Sequence, residues 1–142
     1  MDNPRQTASW RYSRRYGPMP PCFARGTISV LDGRRMLLVG GTASIVGEES
    51  RHDGDVRAQV EEALTNIEAV IVSGGGACRW PLARLTDARV YIVNEADAEI
   101  VEALVRARSS GALRLETVLA RVCRPELLVE IEGLADLRSG SH

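Results

Sequence analysis

From Asp55 to Ile71 the apolar residues fall at helical spacing, and this run limits the fold more than any other stretch. Val56, Val60, Ala63, Leu64, Ile67, Val70 and Ile71 make one stripe, and Arg57, Glu61, Glu62, Thr65 and Glu68 lie on the other side. Asp55 has the chemistry of an N-cap, because its carboxylate can accept from a free N–H of the first turn. A helix this amphipathic needs an apolar partner, and the flanking sequence supplies strands. Phe23 to Leu31 and Met36 to Ala43 read as two strands around Asp32-Gly33, a strong two-residue hairpin signal. Met36-Leu-Leu-Val39 is continuously apolar, as in a strand covered on both faces.

Gly74-Gly-Gly76 reads as a helix stop and turn. Ala88 to Val93 marks a third strand. Asn94 is a candidate N-cap for a second helix reaching about Arg108, with Ile100, Ala103, Leu104 and Ala107 expected inside and Ser109-Ser-Gly111 as its stop. Leu115 to Val122 and Leu127 to Glu132 read as the last two strands, joined by the turn Cys123-Arg-Pro-Glu126. The order β-β-α-β-α-β-β predicts an α+β two-layer sandwich, a mixed sheet with two helices on one face. The opposite sheet face has apolar positions that subunits would cover for one another, so an oligomer is expected. Length predicts one domain, residues 22–134, after an N-terminal arm, residues 1–21, and before a frayed tail, residues 135–142.

The closing strand carries the chemistry. Leu127, Val129 and Ile131 point to one face, and Leu128, Glu130 and Glu132 to the other. Two carboxylates on one face need solvent, a partner or a chemical task. Near-zero net charge gives no electrostatic reason for nucleic acid or an anionic membrane. No apolar run approaches a membrane span, and no apolar segment follows the Arg-rich N-terminus as in a secretory signal. Cys22, Cys78 and Cys123 are odd in number and widely spaced, which suits free thiols in a cytoplasmic setting. With histidine only at His52 and His142, a multi-histidine metal site is excluded, and neither metal nor cofactor is expected. The chain has no lysine. Schiff-base chemistry is therefore closed to it, and every cationic contact must be a guanidinium, suited to planar carboxylates. Gly40-Gly-Thr-Ala-Ser-Ile-Val-Gly47 reads either as a bulge or as a place where the backbone approaches a ligand. In the arm, Trp10, Tyr12 and Tyr16 alternate with Arg5, Arg11, Arg14 and Arg15, either as a loosely ordered terminus or as a segment folded over a cleft.

Four blocks carry a resemblance: Tyr16-Gly-Pro-Met-Pro-Pro-Cys-Phe-Ala-Arg25, the Gly40–Gly47 run, His52-Asp-Gly-Asp-Val-Arg-Ala-Gln59, and Cys123-Arg-Pro-Glu-Leu-Leu-Val-Glu-Ile-Glu132. With the element order, they resemble the Rid/YjgF superfamily (a chorismate-mutase-like fold) over about residues 17–134, and within it the C-terminal half of the chorismatases. The resemblance implies a homotrimer with intersubunit clefts and a small-molecule carboxylate substrate. It implies a lyase or hydrolase that removes the enolpyruvyl group of chorismate as pyruvate, in secondary metabolism. It implies Glu130 as the catalytic acid, Cys123 as a pocket residue beside it, and Tyr16, Arg25, Ala43, Ser44, Arg114 and Arg121 as substrate-binding candidates. Chorismatases carry a second half of similar fold, and the resemblance covers one half only. Two other activities remain open: a Rid-type enamine/imine deaminase, with Arg114 near the position of its carboxylate-binding arginine, and a non-catalytic metabolite-binding trimer.

Overall fold

A computed structural model of the chain describes residues 1–110 and 112–138. Strands β1 (Gly26–Leu31) and β2 (Arg34–Ala43) form the expected hairpin. Asp32 and Gly33 sit at φ 50° and 72°, as a two-residue turn matched to strand twist requires. A short hairpin follows, β3 (Ile45–Val46) with β4 (Glu49–Ser50), in a region expected to be loop. Then come α1 (Val56–Ile71), β5 (Leu85–Ile92), α2 (Ala98–Arg108), β6 (Arg114–Leu119) and β7 (Val129–Asp136). The main sheet has the order β1-β2-β7-β5-β6. β5 and β6 run parallel, joined across α2, and the other neighbours are antiparallel.

One core lies between the helices and one face of the sheet. Val60, Leu64, Ile67 and Ile71 of α1 and Val101 and Val105 of α2 meet Leu37, Val90, Val129 and Ile131, all at most 1 % exposed. The α1 stripe therefore packs as its spacing predicts, and Asp55 accepts from the Ala58 N–H at 3.0 Å. A glycine-containing turn, Val72–Gly76, ends the helix, with Gly75 at φ 90°.

Several expectations are corrected. On α2, Val101 and Val105 are the buried pair, whereas Ala103 and Ala107 are exposed and Ile100 and Leu104 are half-buried. Asn94 caps nothing with its oxygen; it donates to Asp97 Oδ2, and a single 3-10 turn, Glu95–Asp97, precedes α2. Gly111, expected to help stop that helix, lies outside the described residues. β7 continues past Gly133 to Asp136, so the tail expected from residue 135 instead begins in strand, with Ala135 and Leu137 buried. Gly133 reads locally as a stop, yet its missing side chain is what lets β5 approach, since a Cβ there would strike the Asp87 carbonyl. Residues 139–142 of that tail lie outside the described residues.

The arm is ordered against the domain. Asn3, Gln6 and Ser9 are buried, and Gln6 donates to the Ile45 carbonyl at 3.1 Å. The sheet face opposite the helices is more polar than expected. Arg89 pairs with Glu116 and Glu132, and Arg114 with Asp87, around a small apolar strip of Leu38 and Leu134.

Candidate functional site

A cavity of about 660 Å³ opens at one end of that polar face, between the sheet and the arm. Its floor is β2 and β7. Between Val39 and Thr42 the β2–β7 register shifts, so Gly40-Gly41 forms an irregularity in the ladder before Ala43 pairs with Glu130. Residues directly opposite in an antiparallel pair share a face, which places Ala43 and Glu130 side by side in the cavity. The walls come from the arm (Tyr12, Tyr16), from Arg25 just before β1, and from the turn before β7 (Cys123, Arg124).

Glu130 is half-buried, and among the described residues no donor reaches its carboxylate. Burial pushes its pKa up, and the neighbouring Glu132 adds to the shift. Glu132 is differently placed, with a hydrogen bond from the Tyr91 hydroxyl at 2.8 Å and an ion pair to Arg89 at 3.4 Å. Cys123 is exposed at the surface of the turn, with its thiol directed into this partly desolvated wall. Desolvation raises the thiol pKa, Glu130 raises it further, and Arg124 opposes both. The thiol is therefore kept in its neutral form, which fits a wall residue better than a nucleophile.

Two guanidiniums face the cavity. Arg25 is 5 % exposed, lies 4.6 Å from the Phe23 ring centroid and donates to Tyr12 Oη at 2.5 Å. Its buried Nε has no partner in the structure. Arg124 lies 3.9 Å from the Tyr16 ring centroid and donates to the Glu48 carbonyl and Ser50 Oγ, both at 2.9 Å. The ion pairs found among the described residues include neither arginine. A buried cation without a counter-charge is costly unless a ligand or solvent answers it, so the Arg25 wall suits an anion, whereas Arg124 is half-buried and already feels the carboxylates of Glu48 and Glu126.

Of the residues singled out from the sequence, Glu130, Cys123, Tyr16, Arg25 and Ala43 converge on this cavity. Ser44 does not line it; fully buried, it donates to the Arg51 carbonyl. Arg114 is bound to Asp87 at 2.6 Å on the polar sheet face, and Arg121 is exposed on the segment after β6. Neither lines the cavity within this chain. Among the described residues no group of three or more His, Cys, Asp or Glu side chains is placed to hold a metal.

Sequence reasoning named Tyr12 only as part of a segment that folds over a cleft, and it missed Arg124 and the two polar residues that build the site from behind. Gln59 and Asn66 are both fully buried on α1. Gln59 donates to the Glu126 carbonyl at 2.9 Å and accepts from the Leu128 N–H at 2.8 Å, gripping the turn between Cys123 and Glu130. Asn66 donates to the Ala43 and Ile45 carbonyls at 3.1 and 2.8 Å, fixing the end of β2. The available signal was two amides, seven residues apart, set on the buried side of an apolar stripe.

No family model matches the chain. Curated relatives do. It is 38 % identical to a 3-hydroxybenzoate synthase of Streptomyces hygroscopicus and 38 % identical to a chorismatase of Streptomyces rapamycinicus, in each case over 94 % of this chain and 42 % of the relative. It thus spans about two fifths of the length of these proteins. Among solved structures it superposes on a chorismatase with TM-score 0.86 and 33 % identity, over 95 % of this chain and 42 % of the other. The YjgF gene product of E. coli superposes with TM-score 0.68 at 19 % identity, covering 94 % of both chains, a likeness of fold. With its sheet order, its two helices on one face and this alignment over nearly its whole length, the chain has the Rid/YjgF fold and is similar to about two fifths of a chorismatase.

Proposed function

We propose that the cavity binds a small enol ether bearing carboxylates, of the chorismate kind, and that Glu130 supplies the proton that starts its cleavage. One observation carries the reading: a half-buried carboxyl with no donor and a raised pKa shares a cavity with a buried arginine that has no carboxylate partner. A carboxylic acid that holds its proton towards neutral pH can deliver it to carbon, and an arginine without a counter-charge can hold the substrate anion.

Protonation of the terminal methylene of CH2=C(COO−)–O–R leaves an oxocarbenium centre at the ether-bearing carbon. Water adds there and loses a proton, and the hemiketal collapses to pyruvate and the alcohol R–OH. Glu130 donates the first proton and recovers one from the water. Arg25 holds a carboxylate, and Arg124, near the same Tyr12 ring, takes a second. Ala43 and Cys123 bound the space left for the ring. The names of the curated relatives support the choice of substrate, although the chain aligns with only two fifths of their length.

The same reading includes assembly and compartment. A homotrimer would cover the Leu38–Leu134 strip and complete the open side of the cavity as an intersubunit cleft, and three free thiols suit the reducing cytoplasm. Among the described residues no helix is long and apolar enough to cross a membrane. Incubation with chorismate, reading pyruvate with a coupled assay, tests the activity. Release well above a Glu130→Ala control supports it, and equal rates overturn it.

A further inference from the structure

We propose that Gly41 is the positioning residue for Glu130: the volume that a side chain at 41 would occupy is the slot in which the Glu130 carboxyl rests. This deepens the reading of Glu130 as the acid and rests on it for its catalytic consequence, though not for its structural one.

The geometry is specific to one of two adjacent glycines. A Cβ built on Gly40 would meet the Ala24 carbonyl at 2.9 Å, so Gly40 serves the packing of one backbone segment on another. A Cβ built on Gly41 would fall on Glu130 Oε1 and lie 3.0 Å from its Cδ, and its three nearest neighbours are all atoms of that one side chain. Gly41 does not adopt a left-handed backbone, so its conformation alone does not require glycine. What requires it is a side chain on the neighbouring strand.

Nothing else fixes that side chain. Ala43, opposite Glu130 on β2, has no donor; Tyr91, opposite on β5, gives its hydroxyl to Glu132. The titratable and charged groups around the slot are Tyr12 and Tyr16 from the arm, Arg25 before β1, Cys123 and Arg124 from the turn, Tyr91 from β5 and Glu132 on the same strand. Among the described residues none donates to Glu130. A carboxyl with no hydrogen bond keeps its place by volume alone. Fill the volume and it must rotate away from the partly desolvated floor, towards water.

Two readouts separate this from a general loss of structure. Side-chain 13C titration of the folded protein, with the Glu130 resonance identified by its loss in Glu130→Gln, should show Glu130 titrating above ordinary carboxylates in the unaltered protein. In Gly41→Ala the resonance should move down towards them. If the unaltered protein releases pyruvate from chorismate, Gly41→Ala should lower kcat by about tenfold or more while KM stays within about twofold, because the proton donor and not the anion site has moved. In a Glu130→Asp background, whose shorter acid draws back from the added methyl, Gly41→Ala should shift the titration less than it does when Glu130 is present. An unchanged Glu130 titration in folded Gly41→Ala overturns the proposal. So does a Gly41→Ala protein that fails to fold, since only a side chain stands in the slot. Absence of pyruvate from the unaltered protein overturns the functional reading instead, while the titration still decides the role of Gly41.

Discussion

Tyr91 donates its hydroxyl to Glu132 Oε1 at 2.8 Å. That bond separates two carboxylates which alternation along β7 leaves equivalent. Glu132 is tied to Tyr91 and to Arg89 on a polar, solvated face. Glu130, two residues earlier on the same face, receives no donor and is turned into the cavity under the arm. Its pKa rises because water is removed and nothing replaces it, with Glu132 adding repulsion.

That difference fixes the sign of a stability effect. In the folded state Glu130 binds its proton more tightly than in the unfolded chain, so the native state holds more protons between the ordinary carboxylate range and the raised value. Stability contributed by this group therefore falls as pH rises through that window. Glu130→Gln should melt at a higher temperature than the unaltered protein at neutral pH. The gap should close as pH drops below the usual carboxylate range, where both chains are neutral at this position. Thermal melts at a series of pH values check it, and a variant less stable at neutral pH contradicts it.

Arg25→Lys keeps a positive charge but loses the planar fork and the stacking on Phe23. An ammonium cannot bridge Tyr12 Oη and a ligand carboxylate in one plane as a guanidinium does. The variant should raise KM for chorismate by about tenfold, the order of one charge-assisted bond of 1.5–3 kcal/mol, with a smaller change in kcat. Steady-state kinetics decide, and an unaltered KM would remove Arg25 from the binding role.

Asn66→Ala takes a buried donor from the Ala43 carbonyl, leaves the Ile45 carbonyl with the Gln6 amide alone, and leaves the Arg5 guanidinium without the amide oxygen it donates to at 2.6 Å. Loss of partners for buried polar groups costs about 1–3 kcal/mol, and urea unfolding should show a loss of that size. The exposed pair Arg15–Glu49 offers a contrast, because Glu49→Gln should change stability by at most about 1 kcal/mol. If both variants cost the same, the buried amide is not organising the end of β2.

Arg124→Ala removes a guanidinium that stacks on Tyr16 while donating to Glu48 and Ser50. Residues 12–16 of the arm then keep fewer ties to the β3–β4 hairpin, the Ser13 N–H to Glu48 and Arg15 to Glu49, while residues 5–7 stay bonded to Ile45 and Gly47. Limited proteolysis should cut between residues 12 and 25 faster than in the unaltered protein. Equal rates at equal global stability contradict an anchoring role for Arg124.

The parts legible in the sequence are those governed by local period and turn chemistry. The α1 stripe, the Asp55 cap and the Asp32-Gly33 turn follow from spacing and backbone preference, and the structure contains each of them. The α2 face was misassigned because alanine suits either side of a helix, whereas the pair Val101 and Val105 marks the buried line. Gly133 misled because a glycine that ends a strand and one that admits a neighbouring strand look alike in one dimension. Within the site, Glu130 and Cys123 lie on one turn and strand and could be associated by proximity. Arg124 lies on the same turn, but its role could not be read there, since its partners Tyr16, Glu48 and Ser50 come from distant segments. Gly41 needed the β2–β7 register, because its significance is a side chain on another strand.

The most direct test of the account is the rate of pyruvate release from chorismate by the unaltered protein, by Glu130→Gln and by Glu132→Gln, measured side by side at neutral pH. Loss of a positioned general acid lowers turnover by about 10²–10⁴-fold, so Glu130→Gln should fall into that range while Glu132→Gln stays within about tenfold of the unaltered protein. Equal activity in the unaltered and Glu130→Gln proteins, or no pyruvate from any of the three, would contradict the assignment of Glu130 as the proton donor of this cavity.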